Sequence, residues 1–197
     1  MTSPEVREDG GASGRELLLL RHAKASRTGA ASDFDRPLTR RGRRDAPRIA
    51  RWMKTHDLVP DCVVASPAHR ARETMELVAD ELGLPGGDVR WDERVYEAEV
   101  ETLLRVLADC PGGARRVLLV GHNPGLEDLV RHLGGATVRE PEKGKFLPTC
   151  ALARLRVEPP WADLRAGAAA LVGIVAWSRK NRRWRLELPA GEEPPDG

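Results

Sequence analysis

Several classes of partner and cofactor are argued against by what this chain lacks. Its three cysteines, Cys62, Cys110 and Cys150, stand far apart, with no CxxC pair and no Cys/His cluster. Neither a zinc site nor a disulfide framework is therefore signalled, and reduced, partly buried thiols are expected. Aromatic residues make up only 4% of the chain, with five Trp, two Phe and one Tyr, which leaves no series of stacking platforms for single-stranded nucleic acid. Charge of one sign is missing too. The 32 basic side chains are nearly balanced by 30 acidic ones, for a formal net charge of +2, so no nucleic-acid partner is expected. Leu17 to Leu20, and Ala166 to Trp177 with Gly167 and Gly173 inside it, are too short to span a bilayer. The opening MTSPEVREDGGASGRE has no basic region leading into an apolar one, so a cytoplasmic protein without membrane association is expected.

What is present suits one globular body. The chain of 197 residues is 41% hydrophobic and 31% charged, enough to bury a continuous core. Residues 1–14 read as a flexible leader, 15–188 as a single domain and 189–197 as a flexible tail. Glu16 to Leu20, Asp61 to Ala65 and Arg116 to Val120 are apolar runs of the kind found in strands covered on both faces. A short strand is expected at Val89 to Trp91, an alternating one over 149–157, and its partner at Leu171 to Trp177. Helices are expected over 40–55 with Thr39 as N-cap, from Ser66-Pro67 to about Leu82, over 99–109, and from Pro124 to Leu133 with Asn123 as cap. Gly42 and Pro47 weaken the first of these. This rhythm predicts an α/β fold, a three-layer sandwich around a mostly parallel sheet.

Three turns follow the three apolar strands, and each carries groups that bind anions: Arg21-His22-Ala23, Ser66-Pro67-Ala68-His69-Arg70 and Gly121-His122-Asn123-Pro124. Ligands of open α/β sheets sit at the carboxyl ends of strands. If the strands are neighbours, two arginines and two histidines converge on one pocket. The basic run Arg40-Arg41-Gly42-Arg43-Arg44 reads as an exposed helix start offset by Asp33, Asp35 and Asp45. The cluster from Arg179 to Arg185 reads as a solvated edge strand, with a patch beside the pocket as the alternative. His56, His69 and His132 read as ordinary surface or packing residues.

The turns carry a family resemblance. LLLLRHAKAS resembles the RHG signature of the histidine phosphatase superfamily, with Ala23 where glycine is usual. SPAHRARET and VGHNPGLE resemble its second and third motifs, and DFDRPLTRRG resembles a segment of the SixA-type phosphohistidine phosphatases. The match spans roughly residues 15–157. It implies a phosphoglycerate mutase-like fold and a metal-free, cofactor-free phosphatase. His22 would be the nucleophile, forming a covalent phosphohistidine, with Arg21, Arg70 and His122 around the phosphoryl group. A cationic pocket favours the neutral, attacking form of His22, and a nearby backbone carbonyl would fix its tautomer. Glu97 occupies about the position of the family's general acid, with Glu99, Asp33 and Asp35 as competitors; a nitrogen leaving group that is already protonated would need no strong acid, and Arg36 is a candidate third cation for phosphate. The segment between Thr74 and Val117 is short, so the pocket should be open. The expected substrate is a phosphorylated protein or a small phosphomonoester. A nucleotide or sugar phosphate, or recognition of phosphate without catalysis, are the alternatives.

Overall fold

A computed structural model describes residues 14–85, 87–135, 138, 145–178 and 183–187. The first strand, β1 (Arg15–Arg21), carries four consecutive leucines that are fully buried. Strands β2 (Cys62–Ala65), β3 (Val89–Trp91) and β4 (Arg116–Gly121) join it in parallel, and β5 (Leu152–Val157), β6 (Ala169–Ser178) and β7 (Arg183–Glu187) extend the sheet by antiparallel pairing. The order across the seven strands is β3-β2-β4-β1-β5-β6-β7. The expected pairing of the alternating strand with the one after Leu171 is present as β5 against β6. β7 forms the edge beyond it, while residues 179–182 of the basic cluster, residues 1–13 of the leader and residues 189–197 of the tail lie outside the described residues.

Two-residue alternation divides the core between the faces of the sheet. Leu17, Leu19, Val117 and Leu119 belong to one apolar cluster, and Leu18, Leu20, Leu118 and Val120 to the other. Helices α1 (Arg40–Thr55) and α2 (His69–Leu82) cover the second cluster through Ile49, Met53, Met75 and Val78. Helices α3 (Val100–Ala108) and α4 (Gly125–Gly134) cover the first through Leu103, Leu107, Leu126 and Leu129. Each such buried side chain contributes roughly 1.5–3 kcal/mol, so the sandwich rests on side chains from both layers. Among the described residues no helix is long and apolar enough to cross a membrane.

Local chemistry explains the helix starts. Thr39 caps α1 by accepting a hydrogen bond from the Gly42 N–H at 3.2 Å, as expected, and its own hydroxyl donates to the Lys24 carbonyl at 2.9 Å. Gly42 is there for space: a Cβ would lie 2.4 Å from the Lys24 carbonyl oxygen. With its first turn anchored on the loop after β1, α1 runs on through Pro47. The basic run is offset by Asp45, which pairs with Arg41 at 3.0 Å, and by Glu73, which pairs with Arg43 at 2.9 Å; Asp33 and Asp35 have other partners. Helix α2 starts at His69, later than expected, and Ser66 does not cap it. Helix α4 starts at Gly125, and Asn123 instead donates to Glu127 Oε1 at 2.6 Å and to the Leu147 carbonyl at 2.9 Å. The Asn123-Pro124 peptide is cis.

Candidate active site

The three anion-binding turns leave neighbouring strands, since β2, β4 and β1 are consecutive in the sheet. Their carboxyl ends therefore open on one place. The backbone of His22 donates to the Gly121 carbonyl at 3.1 Å, and the Cys150 N–H is shared between the carbonyls of Arg21 and His22 at 3.1 and 3.2 Å. The start of the turn is thus held from both sides. Ala23 is fully buried and its φ is not positive, so a methyl is accommodated where the resembling signature has glycine. Its N–H donates to Thr74 Oγ1 at 3.0 Å, and the same hydroxyl donates to the Arg70 carbonyl at 2.6 Å.

His22 and His122 lie side by side, 9% and 7% exposed, with ring centroids 5.1 Å apart. His22 Nδ1 donates to the Ala23 carbonyl at 2.7 Å, which leaves a lone pair on Nε2. Arg70 Nε donates to that Nε2 at 3.3 Å. His122 Nε2 pairs with Ser66 Oγ at 2.8 Å, and its Nδ1 is buried without a partner, as is Arg21 Nε. Arg21 is steered by a hydrogen bond from Nη1 to the Leu147 carbonyl at 2.8 Å. Glu127 holds that loop by accepting from the Leu147 N–H at 3.0 Å.

Burial pushes the His22 imidazole down to about 3; its bond to Ala23 works the other way, and Arg70, Arg21 and Arg36 add repulsion. His122 is likewise pushed down to about 3, first by burial and then by the His22 ring and the neighbouring arginines. Both rings are neutral near pH 7. The cations favour the neutral form as expected, but desolvation is the larger cause.

Above the imidazoles, Asp33 organises the mouth of the pocket. Its carbonyl accepts from Arg70 Nη1 at 2.6 Å, and its carboxylate pairs with Arg70 Nη2 at 2.9 Å and with Arg36 Nη1 at 2.6 Å. The Tyr96 hydroxyl donates to the same carboxylate at 3.1 Å. The Arg36 bond, with help from Arg70 and Tyr96, holds the Asp33 carboxyl at about 2 against the effect of burial. With its outer fork engaged by Asp33, Arg70 presents its Nε edge to His22.

Comparison with known proteins gives the family and the fold. The family model described as histidine phosphatase superfamily (branch 1) matches residues 17–103. The phosphohistidine phosphatase SixA of Escherichia coli is 32% identical over 119 residues, covering 60% of this chain and 73% of that protein. The chain belongs to the histidine phosphatase superfamily. An uncharacterised protein of Mycobacterium tuberculosis is 35% identical over 160 residues, 79% of this phosphatase and 98% of that chain. A solved structure of the protein histidine phosphatase SixA complexed with tungstate has a TM-score of 0.68 at 26% identity, over 81% of this chain and 95% of the other. The fold is the phosphoglycerate mutase-like sandwich that the sequence implies.

The phosphatase fold brings Arg21, His22, Arg70 and His122 together. It places Arg36 one step back, on Asp33 and on the Ser26 carbonyl at 2.6 Å, although its charge still acts on His22. Glu97 is exposed, with a positive φ of 50°, directly after Tyr96. Glu99 is exposed at the start of α3. Asp35, a competitor for the acid, accepts from Ser32 Oγ at 2.6 Å, and its carbonyl pairs with His69 Nδ1 at 3.1 Å. Sequence reasoning gave no site role to Ser66, Glu127 or Tyr96, and took Thr74 only as part of the second motif. One signal was available, in Gly125 of the GHNPG turn. A Cβ there would lie 2.1 Å from the Ala98 carbonyl oxygen, so this glycine lets α4 pack against the segment that carries Tyr96.

Proposed function

We propose that this phosphatase hydrolyses phosphohistidine or a phosphomonoester through a covalent phosphohistidine on His22. The observation that carries the reading is the fixed tautomer: Nδ1–H is committed to the Ala23 carbonyl, so Nε2 offers its lone pair beside the Arg70 guanidinium. In the first half-reaction Nε2 attacks phosphorus in line, the bond to the leaving group breaks, and that group leaves with the electron pair and takes up a proton. In the second, water attacks the phosphorus of the N–P intermediate. Its proton is released, inorganic phosphate departs, and the electron pair returns to Nε2.

Arg21 and Arg70 stabilise the charge on the phosphoryl oxygens. Ser66 Oγ already accepts from the Ala68 N–H at 3.3 Å, and we read its proton as donated to His122 Nε2. The His122 proton then sits on Nδ1, the buried atom without a partner, as a donor to the phosphoryl group. Arg36 supports phosphate binding through Asp33. Asp33 itself is held ionised by its cationic neighbours, which makes it an acceptor rather than an acid. Glu97 remains the proposed proton donor for oxygen leaving groups. The relative solved with tungstate, a tetrahedral oxyanion, agrees with an oxyanion pocket in this fold.

The test is trapping with radiolabelled phosphodonors, quenched in alkaline detergent so that an N–P bond survives. Wild type should retain acid-labile, alkali-stable label that His22→Ala does not, and His22→Ala should lose turnover with its circular dichroism intact. Arg70→Ala should lower kcat/KM on the order of a hundredfold or more. Turnover without a trapped or kinetically detectable phosphoenzyme would refute the covalent route. Phosphate binding with no turnover of any donor would favour a recognition module.

A further inference from the structure

The chain has two Phe and one Tyr, and two of those three rings stand at the mouth of this pocket. Tyr96 meets the His122 ring edge-on at 5.4 Å between centroids and lies 5.7 Å from the Arg70 guanidinium carbon. Phe34 meets Tyr96 edge-on at 5.0 Å. Aromatic surface thus leads from an imidazole on the pocket floor to a phenyl ring that is 37% exposed. A single exposed apolar side chain is ordinary on a protein surface. This one is the outer member of a series that ends on the reacting groups.

The lip is also held in place. The Phe34 carbonyl accepts from the His69 N–H at 2.9 Å, and the preceding carbonyl accepts from Arg70 Nη1 at 2.6 Å. The Tyr96 hydroxyl is fixed on the Asp33 carboxylate at 3.1 Å. Both rings are therefore referenced to Arg70, and through it to the position a phosphoryl group would take. The two rings touch one another and form one continuous lip, and a leaving group on phosphorus held by Arg70 would face that lip on its way out of the pocket. Aromatic faces and edges favour a flat ring in offset or edge-on contact over a flexible alkyl chain, which would lose rotamer freedom there.

Resting on the phosphatase reading above, we propose that Phe34 and Tyr96 determine specificity by receiving the leaving group. They select phosphorus bonded to an aromatic ring system, through an imidazole nitrogen or a phenol oxygen, over phosphorus on an alkyl chain or a simple amine.

The experiment compares kcat/KM for two matched pairs: phenyl phosphate against propyl phosphate, and N-phosphoimidazole against phosphoramidate. Intrinsic leaving-group reactivity cancels when each ratio in a variant is divided by the wild-type ratio. Phe34→Ala should lower the ring preference roughly three- to tenfold, mainly through KM, and Phe34→Tyr should retain it. A loss in the P–N pair alone identifies an imidazole substrate, a loss in the P–O pair alone a phenol, and either supports the proposal. Unchanged ratios in both pairs, or an equal fall on all four compounds, overturn it while the phosphatase reading stands. A wild-type protein that turns over none of the four and traps no label has instead lost the phosphatase reading, and this inference with it.

Discussion

At the scale of single residues, the protonation of His22 decides what the pocket can do. The imidazole is pushed from its ordinary 6.5 down to about 3, so its Nε2 lone pair stays unprotonated well into acid. Corrected for the substrate's own ionisation, kcat/KM for a P–N donor, which does not call on Glu97, should stay flat from pH 8 to about 5, with no limb centred where a free imidazole titrates. A limb near 6.5 in the corrected profile would show that His22 is not buried as described. Ser66 makes a second residue-scale prediction. Removing its hydroxyl leaves His122 Nε2 without the partner seen at 2.8 Å, so Ser66→Ala should lower kcat roughly tenfold with KM little changed. The residues legible in the sequence were those whose chemistry is announced by position: Arg21, His22, Arg70 and His122 each follow a buried strand. Ser66 was legible only as a cap, because its partner is 56 positions away. Glu127 and Tyr96 were hidden for the same reason. Each acts through a contact with a distant segment, which local pattern cannot reveal.

At the scale of elements, propensity and packing disagree at Gly42, and the magnitudes choose between them. In a helix interior alanine is better than glycine by roughly 0.5–1 kcal/mol. Here the added methyl would meet the Lys24 carbonyl oxygen at 2.4 Å, against backbone that cannot swing aside. Overpacking of this kind costs about 1–3 kcal/mol, so packing wins. Gly42→Ala should shift the urea midpoint downward; an upward shift would mean that α1 and the loop after β1 are not in contact. The sequence pattern listed Gly42 and Pro47 as defects in α1 because it sees only the element, and the anchor lies outside the element. The apolar strands were easier to recognise, since an unbroken apolar run such as Leu17 to Leu20 or Val117 to Val120 requires cover on both faces.

At the scale of the molecule, burying two neutral histidines at the end of the sheet links stability to acid. Both fold with values near 3, below the 6.5 of an open imidazole. Between those values the unfolded chain binds more protons than the folded one, so stability rises with pH across the window and is lost as pH falls through it. The lowered Asp33 carboxyl acts in the same direction further down, between 3.8 and about 2, weakened by its exposure. Thermal midpoints should therefore fall from pH 6.5 toward 4, and a His22→Gln, His122→Gln double variant should flatten that slope. Equal slopes in the two proteins would place the acid sensitivity elsewhere.

The hydroxyl of Thr74 links these scales. Its one proton goes to the helix that bears the guanidinium, and its lone pair takes the amide next to the His22 ring. A side chain with two roles acts here as a gauge block, setting the gap between the His22 turn and the Arg70 helix. On the proposed reading an incoming tetrahedral anion finds its berth already dimensioned, and little of its binding energy goes into rearranging the walls.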